Sequence, residues 1–405
     1  MAVNTRGIAA IVGIADEVSP NGVLERYGHD LHTSVARAAL DDAGLTFADL
    51  DGIAAVGNLM QASELAEHLG VRPRWVDNTM TGGSSFEVLV QHAVAAIACD
   101  MAEVVLVVYG ETPRGDRARA GSVPEPRVGE IPYWVQQDTN IQEWEGPYGI
   151  RPWLGPYALA MRRHMHRFGT TPEQFAEIAV STRQWAAMNP NAKLREPITI
   201  DDVLASPYEV EPVHRSEVCL VTDGGGACVV TSTARARDLR QPPAYILGAG
   251  SSQSHSLMIS EMPDLTVTAG VESGAQAFAM AGCGPSDVDL LMTYDSFTVT
   301  VLLALEDLGF CAKGEGGAFV EDGRLRPGGS VPERRSGSVP TNTNGGGLCY
   351  THPGMYGMFL ITEAARQVRG DAGARQVPDV EIAVAHGCGV VLSTFGTLVL
   401  GKDAS

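Results

Sequence analysis

The feature that most constrains the fold of this chain is an internal repeat between its N-terminal and C-terminal parts. Four segments of the first part match four segments of the second part in the same order. The matched pairs begin at Ala9 and Ala244, at Ala39 and Ala277, at Val76 and Val339, and at Val105 and Ile382. Each match is weak alone, because short apolar runs are common, but four in register predict two halves with the same fold.

Short β-branched runs alternate with alanine-rich periodic stretches, which is typical of an α/β protein. Strands are predicted over residues 7–15, 52–57, 104–110, 226–231, 244–250, 290–294, 381–387 and 394–401. Helices are predicted over residues 30–42, 84–98, 156–168, 172–188, 272–281, 298–307 and 357–368. A chain of 405 residues usually contains more than one core. We therefore expect an N-terminal half over residues 1–235 and a C-terminal half over residues 236–405.

A segment at about residues 114–215 separates the repeated parts and is rich in aromatic residues, among them Tyr133, Trp134, Trp144 and Tyr157. Flexible linkers are polar or rich in glycine and serine, and they cannot bury such rings. The segment is therefore predicted to be a folded insertion within the N-terminal half. Two interpretations stay open for it: a cap over a bulky apolar substrate, or a contact surface for a second copy or another domain.

The formal net charge of −19 argues against a nucleic-acid partner, because phosphate binding needs clustered Lys and Arg. No apolar run is long enough to insert into a membrane, and the N-terminus lacks a signal-peptide pattern, so a cytoplasmic location is expected. The seven cysteines are scattered without zinc-ligand spacing. They are predicted to be reduced thiols, and no metal site is expected on this chain.

Four loop motifs lie near the ends of predicted strands. A glycine-rich turn in the second half ends in a fixed histidine, and the repeat pairs it with a Gly-Gly-Ser loop in the first half that contains no cysteine. The motifs are Asp77-Asn-Thr-Met-Thr-Gly-Gly83-Ser84-Ser, Tyr294-Asp-Ser-Phe297, Asn344-Gly-Gly346-Gly-Leu-Cys-Tyr350-Thr-His352-Pro and His386-Gly-Cys-Gly389.

With these motifs the chain resembles the thiolase superfamily over nearly its whole length. Within it, the chain is similar to the thiolase-like lipid-transfer-protein aldolases of steroid side-chain degradation. The resemblance implies two duplicated βαβαβαββ halves in a five-layered α/β/α/β/α arrangement, with an inserted cap or loop region. It also implies a homodimer and a small partner chain that carries a zinc ribbon and an OB-fold. Any zinc would belong to that partner.

The chain departs from the thiolases where they hold their acyl group. In thiolases a cysteine of the first-half loop is the nucleophile, and that cysteine is missing here. Cys349 and Cys388 are the nearest substitutes, but both are displaced. Covalent thioester chemistry needs a thiolate beside a base. The pattern instead suits retro-aldol cleavage of a β-hydroxyacyl-CoA to a ketone and a short acyl-CoA such as propionyl-CoA, with a steroid as the leading substrate.

The resemblance implies that Tyr294 and Tyr350 move protons and that His352 lies by the thioester oxygen. Tyr356 is an alternative to Tyr350 as the second tyrosine. An unperturbed tyrosine has a pKa of about 10, so a tyrosine base needs donors or a positive charge nearby. Substrate-binding residues are expected among the remaining loop positions, whose glycines make tight turns that present backbone N–H groups. These positions are Gly83, Ser84, Asn344, Gly346, His386 and Gly389.

Two other functions remain open from the sequence: an acyltransferase or thiolase that uses Cys349 or Cys388, and a non-catalytic acyl-CoA or sterol carrier. Coenzyme A would enter only as part of the substrate, and no bound cofactor is expected. Its phosphates would need a local basic pocket in this acidic chain. The candidate arginines are Arg114, Arg117, Arg119, Arg162, Arg163 and Arg167.

Overall fold

The computed structural model describes residues 5–57, 60–119, 140–150, 153–328 and 338–404. Tyr133 and Trp134, noted in the sequence, lie outside these residues. The strands are β1 (Ala9–Val18), β2 (Gly52–Val56), β3 (Trp75–Thr79), β4 (Val104–Glu111), β5 (Tyr208–Val210), β6 (Val213–His214), β7 (Gly224–Ser232), β8 (Ala244–Gln253), β9 (Leu290–Thr293), β10 (Ile382–Cys388) and β11 (Thr394–Gly401).

All seven predicted helices form, with bounds within two residues of those expected. The helices are α1 (His29–Ala43), α2 (Gln61–Leu69), α3 (Ser85–Ala98), α4 (Pro113–Arg119), α5 (Gly155–Phe168), α6 (Pro172–Ala187), α7 (Ile200–Ala205), α8 (Thr233–Ala236), α9 (Gly270–Ala281), α10 (Thr298–Asp307), α11 (Gly316–Val320) and α12 (Gly357–Arg369). The sequence missed β3 and α2 in the first half, as well as several short elements.

Strand pairing shows the internal duplication directly. The large sheet has the order β3-β2-β4-β7-β1-β8-β11-β10-β9. In the first half, β7 lies antiparallel between β1 and β4, and β4 lies parallel to β2. In the second half, β11 lies antiparallel between β8 and β10, and β10 lies parallel to β9. The parallel bridge between Leu291 and Thr341 takes the place that the β2–β3 pair has in the first half.

Two glycines repeat the same close approach of a strand to a helix. A Cβ on Gly13 of β1 would lie 2.0 Å from the carbonyl oxygen of Ala39 in α1, and a Cβ on Gly248 of β8 would lie 2.0 Å from that of Ala277 in α9. Only glycine permits either contact. The sequence match that begins at Ala9 and Ala244 therefore reflects one packing geometry used twice.

The helices form layers around the two parts of the sheet. Helices α3 and α12 contact each other and pack against strands of both halves. Helix α1 covers the other face of the first half, and α9 covers that of the second. This is the α/β/α/β/α order that the resemblance implied. The halves also join at their centre, where β1 pairs with β8 through two residue pairs.

The described part of the insertion is folded against the second half. Helix α6 begins at Pro172, the first residue of the predicted helix, after a capping box in which the Thr171 side chain accepts from the Gln174 amide. Helices α5 and α6 both contact α10.

The half boundary predicted at residue 235 falls within α8, before β8 begins, and remains a prediction. Among the described residues, no helix is long and apolar enough to span a bilayer.

Candidate active site

Tyr294 follows β9 directly and is held at both ends by the main chain of the second half. Its amide donates to the carbonyl oxygen of His386 at 2.9 Å. Its hydroxyl oxygen lies 2.9 Å from Nε2 of His352 and accepts a hydrogen bond from the amide of Tyr356 at 3.1 Å. The phenol therefore has a hydrogen-bond donor on one side and a basic nitrogen on the other.

His352 lies in a buried turn that the neighbouring strand region fixes. Its amide donates to Oγ1 of Thr222 at 2.7 Å, and its carbonyl oxygen accepts from the Thr222 amide. Burial lowers the pKa of His352 to about 4, so the imidazole is neutral near pH 7. A neutral Nε2 facing a phenol can accept the phenolic proton.

Tyr294 is protonated in the resting site. Burial raises its pKa well above the usual range, and the neighbouring Cys219, Tyr157 and Cys388 add to the shift. The hydrogen bond from the Tyr356 amide works in the opposite direction, because it favours the charged phenolate. Tyr294 can therefore act as a base only if it passes its own proton to His352 as it takes another.

Gly83 provides the space for the Tyr294 ring. A Cβ on Gly83 would lie 2.1 Å from a ring carbon of Tyr294 and 2.5 Å from the carbonyl oxygen of Cys388. The loop of the first half thus touches two loops of the second half, as expected for a site built from both halves. The neighbouring Ser84 donates to the carbonyl oxygen of Thr81 at 2.9 Å, and its Oγ lies 3.1 Å from Oγ1 of Thr394. Gly83 therefore shapes this site, and substrate binding by Gly83 and Ser84 stays a prediction.

Asp295 joins the Tyr294 loop to the glycine-rich turn. Its carboxylate accepts from the amides of Gly347 at 2.6 Å and Leu348 at 3.2 Å. A Cβ on Gly346, whose φ is +61°, would lie 1.9 Å from the same carboxylate, so this position requires glycine. Burial raises the pKa of Asp295 to about 7. Sequence reasoning missed Asp295, although its place beside Tyr294 in the motif could have suggested a role.

Asn344 stabilises the turn from within. Its Oδ1 accepts from the Gly346 amide at 3.0 Å and from the Tyr356 hydroxyl at 2.7 Å, and its Nδ2 donates to the carbonyl oxygen of Phe359. Tyr356 is the residue that the sequence offered as an alternative to Tyr350 for the second tyrosine. Its amide, and not its hydroxyl, donates to the Tyr294 hydroxyl.

The structure does not bring Tyr350 to Tyr294 and His352. The Tyr350 hydroxyl donates to Oδ2 of Asp16 at 2.6 Å, and Asp16 also pairs with Arg366 at 2.8 Å. Tyr350 ends the helical turn Gly346–Tyr350, and the chain becomes extended at Thr351, so the two side chains leave the turn in different directions. The hydroxyl of Tyr350 therefore has a different partner from that of Tyr294, and a role for Tyr350 in proton transfer stays a prediction.

His386 and Gly389 have internal roles. Nδ1 of His386 lies 2.8 Å from Oγ1 of Thr397, the ring stacks on Phe395, and burial lowers the pKa of the imidazole to about 3. The carbonyl oxygen of His386 accepts from the Tyr294 amide, and substrate binding by His386 stays a prediction. A Cβ on Gly389 would lie 1.7 Å from Oγ1 of Thr394, so Gly389 permits a close approach of two chain segments.

The insertion contributes Tyr157, which the sequence did not single out as a site residue. Its ring stacks on Phe297 with centroids 4.2 Å apart, and its hydroxyl accepts from the Val391 amide at 3.2 Å. Val391 has a φ of +57°, which is strained for a β-branched residue. Tyr157 therefore packs an aromatic wall against the strained loop beside Tyr294.

The cysteines near the site are protonated thiols. Burial raises the pKa of Cys349 to about 11, and its Sγ accepts from Nε of Arg183 rather than facing Tyr294. Burial also raises the pKa of Cys219 to about 12 and raises that of Cys388 further. A thiolate nucleophile needs a lowered pKa, so these thiols are not activated.

A basic cleft of about 380 Å³ lies next to the His352 turn, lined by Arg114, Arg117, Lys193, Leu220 and Val221. The Leu220 amide donates to the carbonyl oxygen of Gly347, which ties the cleft wall to the turn. Burial and the charge of Arg114 lower the pKa of Lys193, as expected where cations lie together. Three cations in a chain of net charge −19 make a suitable site for an anion.

The other candidate arginines lie elsewhere. Arg162 pairs with Glu211, Arg167 pairs with Asp264, and Arg163 is exposed. The side chain of Arg119 is outside the described part of the chain. Within the described ranges, no cluster of His, Cys, Asp or Glu has a geometry that could hold a metal ion.

Comparisons with known proteins confirm the mixed α/β thiolase fold and find relatives that are named as aldolases or lyases. Residues 250–402 match the family described as Thiolase C-terminal domain-like. The chain is 36% identical over 414 residues to a steroid side-chain-cleaving aldolase of Thermomonospora curvata, with 98% of each chain covered. It is also 36% identical over 419 residues to the 17-hydroxy-3-oxo-4-pregnene-20-carboxyl-CoA lyase of Mycobacterium tuberculosis, with 98% of this chain and 99% of that protein covered.

A solved structure supports the same assignment. The structure of an aldolase named Ltp2-ChsH2(DUF35) matches with a TM-score of 0.85 and 34% identity, and 98% of each chain is covered. Human mitochondrial 3-ketoacyl-CoA thiolase matches with a TM-score of 0.68 at 16% identity, covering 98% of this chain and 99% of that one. The second match shows the shared fold alone.

Proposed function

This chain belongs to the thiolase superfamily, within its group of steroid side-chain-cleaving aldolases, and we propose that it cleaves a β-hydroxyacyl-CoA by a retro-aldol reaction. The relatives support the lyase activity that the sequence predicted. The observation that carries the proposal is the hydrogen-bonded pair of Tyr294 and His352 in a site whose thiols are protonated. Such a site can move protons but cannot readily form an acyl-enzyme.

In the proposed reaction, Tyr294 takes the proton of the substrate β-hydroxyl while its own proton passes to Nε2 of His352. The Tyr356 amide donates to the phenol oxygen and stabilises the partial negative charge that develops there during this transfer. The bond between the α and β carbons then breaks, its electron pair enters the thioester enolate, and the β-carbon becomes a ketone. The proton held by the pair returns to the α-carbon. The atoms balance without a co-reactant.

We propose a steroid thioester as the substrate class. The Mycobacterium tuberculosis relative is named for 17-hydroxy-3-oxo-4-pregnene-20-carboxyl-CoA, which carries a hydroxyl β to its thioester. Retro-aldol cleavage of that compound gives a 17-ketone steroid and propionyl-CoA. The stacked rings of Tyr157 and Phe297 offer an apolar wall near Tyr294, in keeping with a cap over a bulky substrate.

We propose that the basic cleft binds the phosphates of coenzyme A. Asp223 supports this cleft, because its carboxylate accepts from the amides of Arg114 and Gly115 at the start of α4. The cleft adjoins the turn that carries His352, so a thioester bound by its phosphates could reach Tyr294. Arg117 and Lys193 would supply the remaining charges.

We further propose that the chain acts as a cytoplasmic homodimer with a small partner. Strand β3 lies at one end of the sheet and pairs only with β2 in the described structure, so its other edge could pair with a second copy. The matched aldolase is named for ChsH2(DUF35) as well as for Ltp2, which favours a partner of that kind, with a zinc ribbon and an OB-fold. Zinc would then be held by the partner.

The test is to incubate the chain, with and without the partner, with 17-hydroxy-3-oxo-4-pregnene-20-carboxyl-CoA, and to measure both products and the intact mass of the protein. Release of a 17-ketone and propionyl-CoA from unmodified protein supports the proposal. An acyl mass on Cys349 or Cys388 would instead support a displaced thiolase. Bound but unchanged thioester in every mixture would support a carrier.

A further inference from the structure

Glu87 is a buried carboxyl that the proposed reaction does not use. It lies in the first turn of α3, four residues after Gly83, and only 1% of it is exposed. Among the described residues, neither carboxyl oxygen has a hydrogen-bond partner in another side chain or loop. Burying a carboxyl without hydrogen-bond partners destabilises the folded protein, so this position is unusual for a residue with no role.

Glycines from the second half surround this carboxyl. A Cβ on Gly387 would lie 2.1 Å from Oε2 of Glu87, and a Cβ on Gly357 would lie 2.8 Å from the same atom. A Cβ on Gly396 would lie 2.7 Å from the Glu87 Cβ. Any side chain at Gly387 would therefore displace the carboxyl. The first half thus inserts one carboxyl into a space that three glycines of the second half leave open.

Two of these glycines adjoin the groups that hold Tyr294. Gly387 follows His386, whose carbonyl oxygen accepts from the Tyr294 amide at 2.9 Å. Gly357 follows Tyr356, whose amide donates to the Tyr294 hydroxyl at 3.1 Å. The Glu87 carboxyl consequently packs against both main-chain junctions that position the phenol.

We propose that Glu87 is a positioning residue, whose neutral carboxylic acid holds these two junctions so that the Tyr294 phenol stays aligned with His352. The inference rests on the proposed retro-aldol function, because its effect is read through that reaction. A carboxylate in the same space would be charged without a partner and would force the glycine-lined space to open to water. The junctions at Gly357 and Gly387 would then shift, and turnover would fall.

The surroundings keep the acid neutral near pH 7. Burial raises the pKa of Glu87 to about 8. The titratable groups that face it are the thiols of Cys228 on β7 and Cys388 at the end of β10, and a charge on Glu87 raises the pKa of both. The charge of Arg369 on α12 lowers the pKa of Cys228, against the effect of Glu87.

The activity test compares kcat from pH 6 to pH 10 for the wild type and Glu87→Gln, with the steroid thioester and the partner present. One ionisation with a pKa of about 8 lowers the wild-type kcat about tenfold at pH 9 relative to its plateau. Glu87→Gln cannot ionise, so this alkaline fall should disappear. Glu67→Gln, on the exposed face of α2, is the matched control and should keep the wild-type profile.

Thermal unfolding separates burial from positioning. The folded-state pKa lies above the unfolded value, so the contribution of Glu87 to stability falls as pH rises from about 4.5 to about 8 and changes no further above that. Glu87→Gln should lose this dependence. If it does so but keeps the wild-type fall of kcat above pH 8, the positioning role is overturned. Absence of ketone release from the wild type would instead refute the proposed function, while the stability result would stand.

Discussion

The phenol oxygen of Tyr294 and Nε2 of His352 lie 2.9 Å apart in a buried site where both side chains are neutral near pH 7. Because burial opposes charge on each, neither side chain is a strong base or acid alone. Together they can pass one proton without leaving a lasting charge. This coupling suits a reaction that takes a proton from a hydroxyl and returns one to carbon.

We expect Tyr294→Phe to keep the ring packed against Gly83 but to lose the phenolic hydroxyl that carries the proton. General acid–base groups contribute about 10² to 10⁴ in rate, so kcat should fall by a factor of that order. Steady-state release of the ketone product measures this. The control is Tyr148→Phe, because Tyr148 is 85% exposed. Turnover by Tyr294→Phe near the wild-type rate would rule out a phenolic proton carrier.

The decrease of kcat/KM at low pH should follow the protonation of His352. Burial lowers its pKa to about 4, so the imidazole stays neutral as the pH falls through 6.5 and becomes protonated only near pH 4. We therefore expect kcat/KM to remain high down to about pH 5 while the protein stays folded. A limb centred near 6.5 would contradict the buried, neutral imidazole. His166→Gln, on the exposed side of α5, should leave the profile unchanged.

The same shift predicts an acid-sensitive fold. Between about pH 6.5 and pH 4 the unfolded chain takes up a proton at His352 and the folded chain does not, so the contribution of His352 to stability should decrease as the pH falls through this range. Denaturant unfolding of the wild type and His352→Gln at several pH values measures the difference. A pH-independent difference between the two would contradict the shift.

Much of the fold could be predicted from the sequence, because the spacing of apolar residues in strands and helices is a local signal. The internal repeat gives the same signal in both halves. The match of Gly13 with Gly248 reflects a requirement for close packing, which sequence comparison can detect. The edge strand Trp75–Thr79 was missed, because its polar Asp77 and Asn78 break the apolar pattern of a buried strand. Buried central strands such as β4 are the easier case.

The site was only partly predictable for the opposite reason. Tyr294 and His352 are marked by motifs, but the direction of Tyr350 depends on how a five-residue turn ends. Glu87 gives no local signal, since one acidic residue in a helix usually lies on a solvated face. Its burial follows from glycines that are far away in the sequence. Such placements depend on tertiary packing, which residue spacing does not encode.

Tyr350→Phe tests the position of the second tyrosine. The substitution removes a hydrogen bond to the Asp16 carboxylate, and bonds to charged groups contribute about 1.5 to 3 kcal/mol. We expect a loss of stability of that order, and a loss of kcat far smaller than that of Tyr294→Phe. Folded Tyr350→Phe without activity would show that Tyr350 acts in the reaction, as the family resemblance implied.

Alkylation tests the thiols. Cys349 and Cys388 are buried and protonated, so iodoacetamide at pH 7.5 should leave retro-aldol turnover nearly unchanged. Intact-mass analysis shows which cysteines react, and exposed Cys99 should react first. Rapid loss of turnover that parallels modification of Cys388 would contradict a mechanism without a thiol nucleophile.

The basic cleft should act on binding rather than on chemistry. Arg117→Gln and Lys193→Gln each remove one cation from the cleft, so we expect KM for the thioester to rise a few fold with little change in kcat. The increase should shrink at high salt, because partly exposed charges are screened. Arg162→Gln, whose side chain pairs with Glu211, is the matched control and should leave KM unchanged. Titration with free coenzyme A gives the same comparison without turnover. Equal affinity of the wild type and both cleft variants for free coenzyme A would place its phosphates elsewhere on the protein.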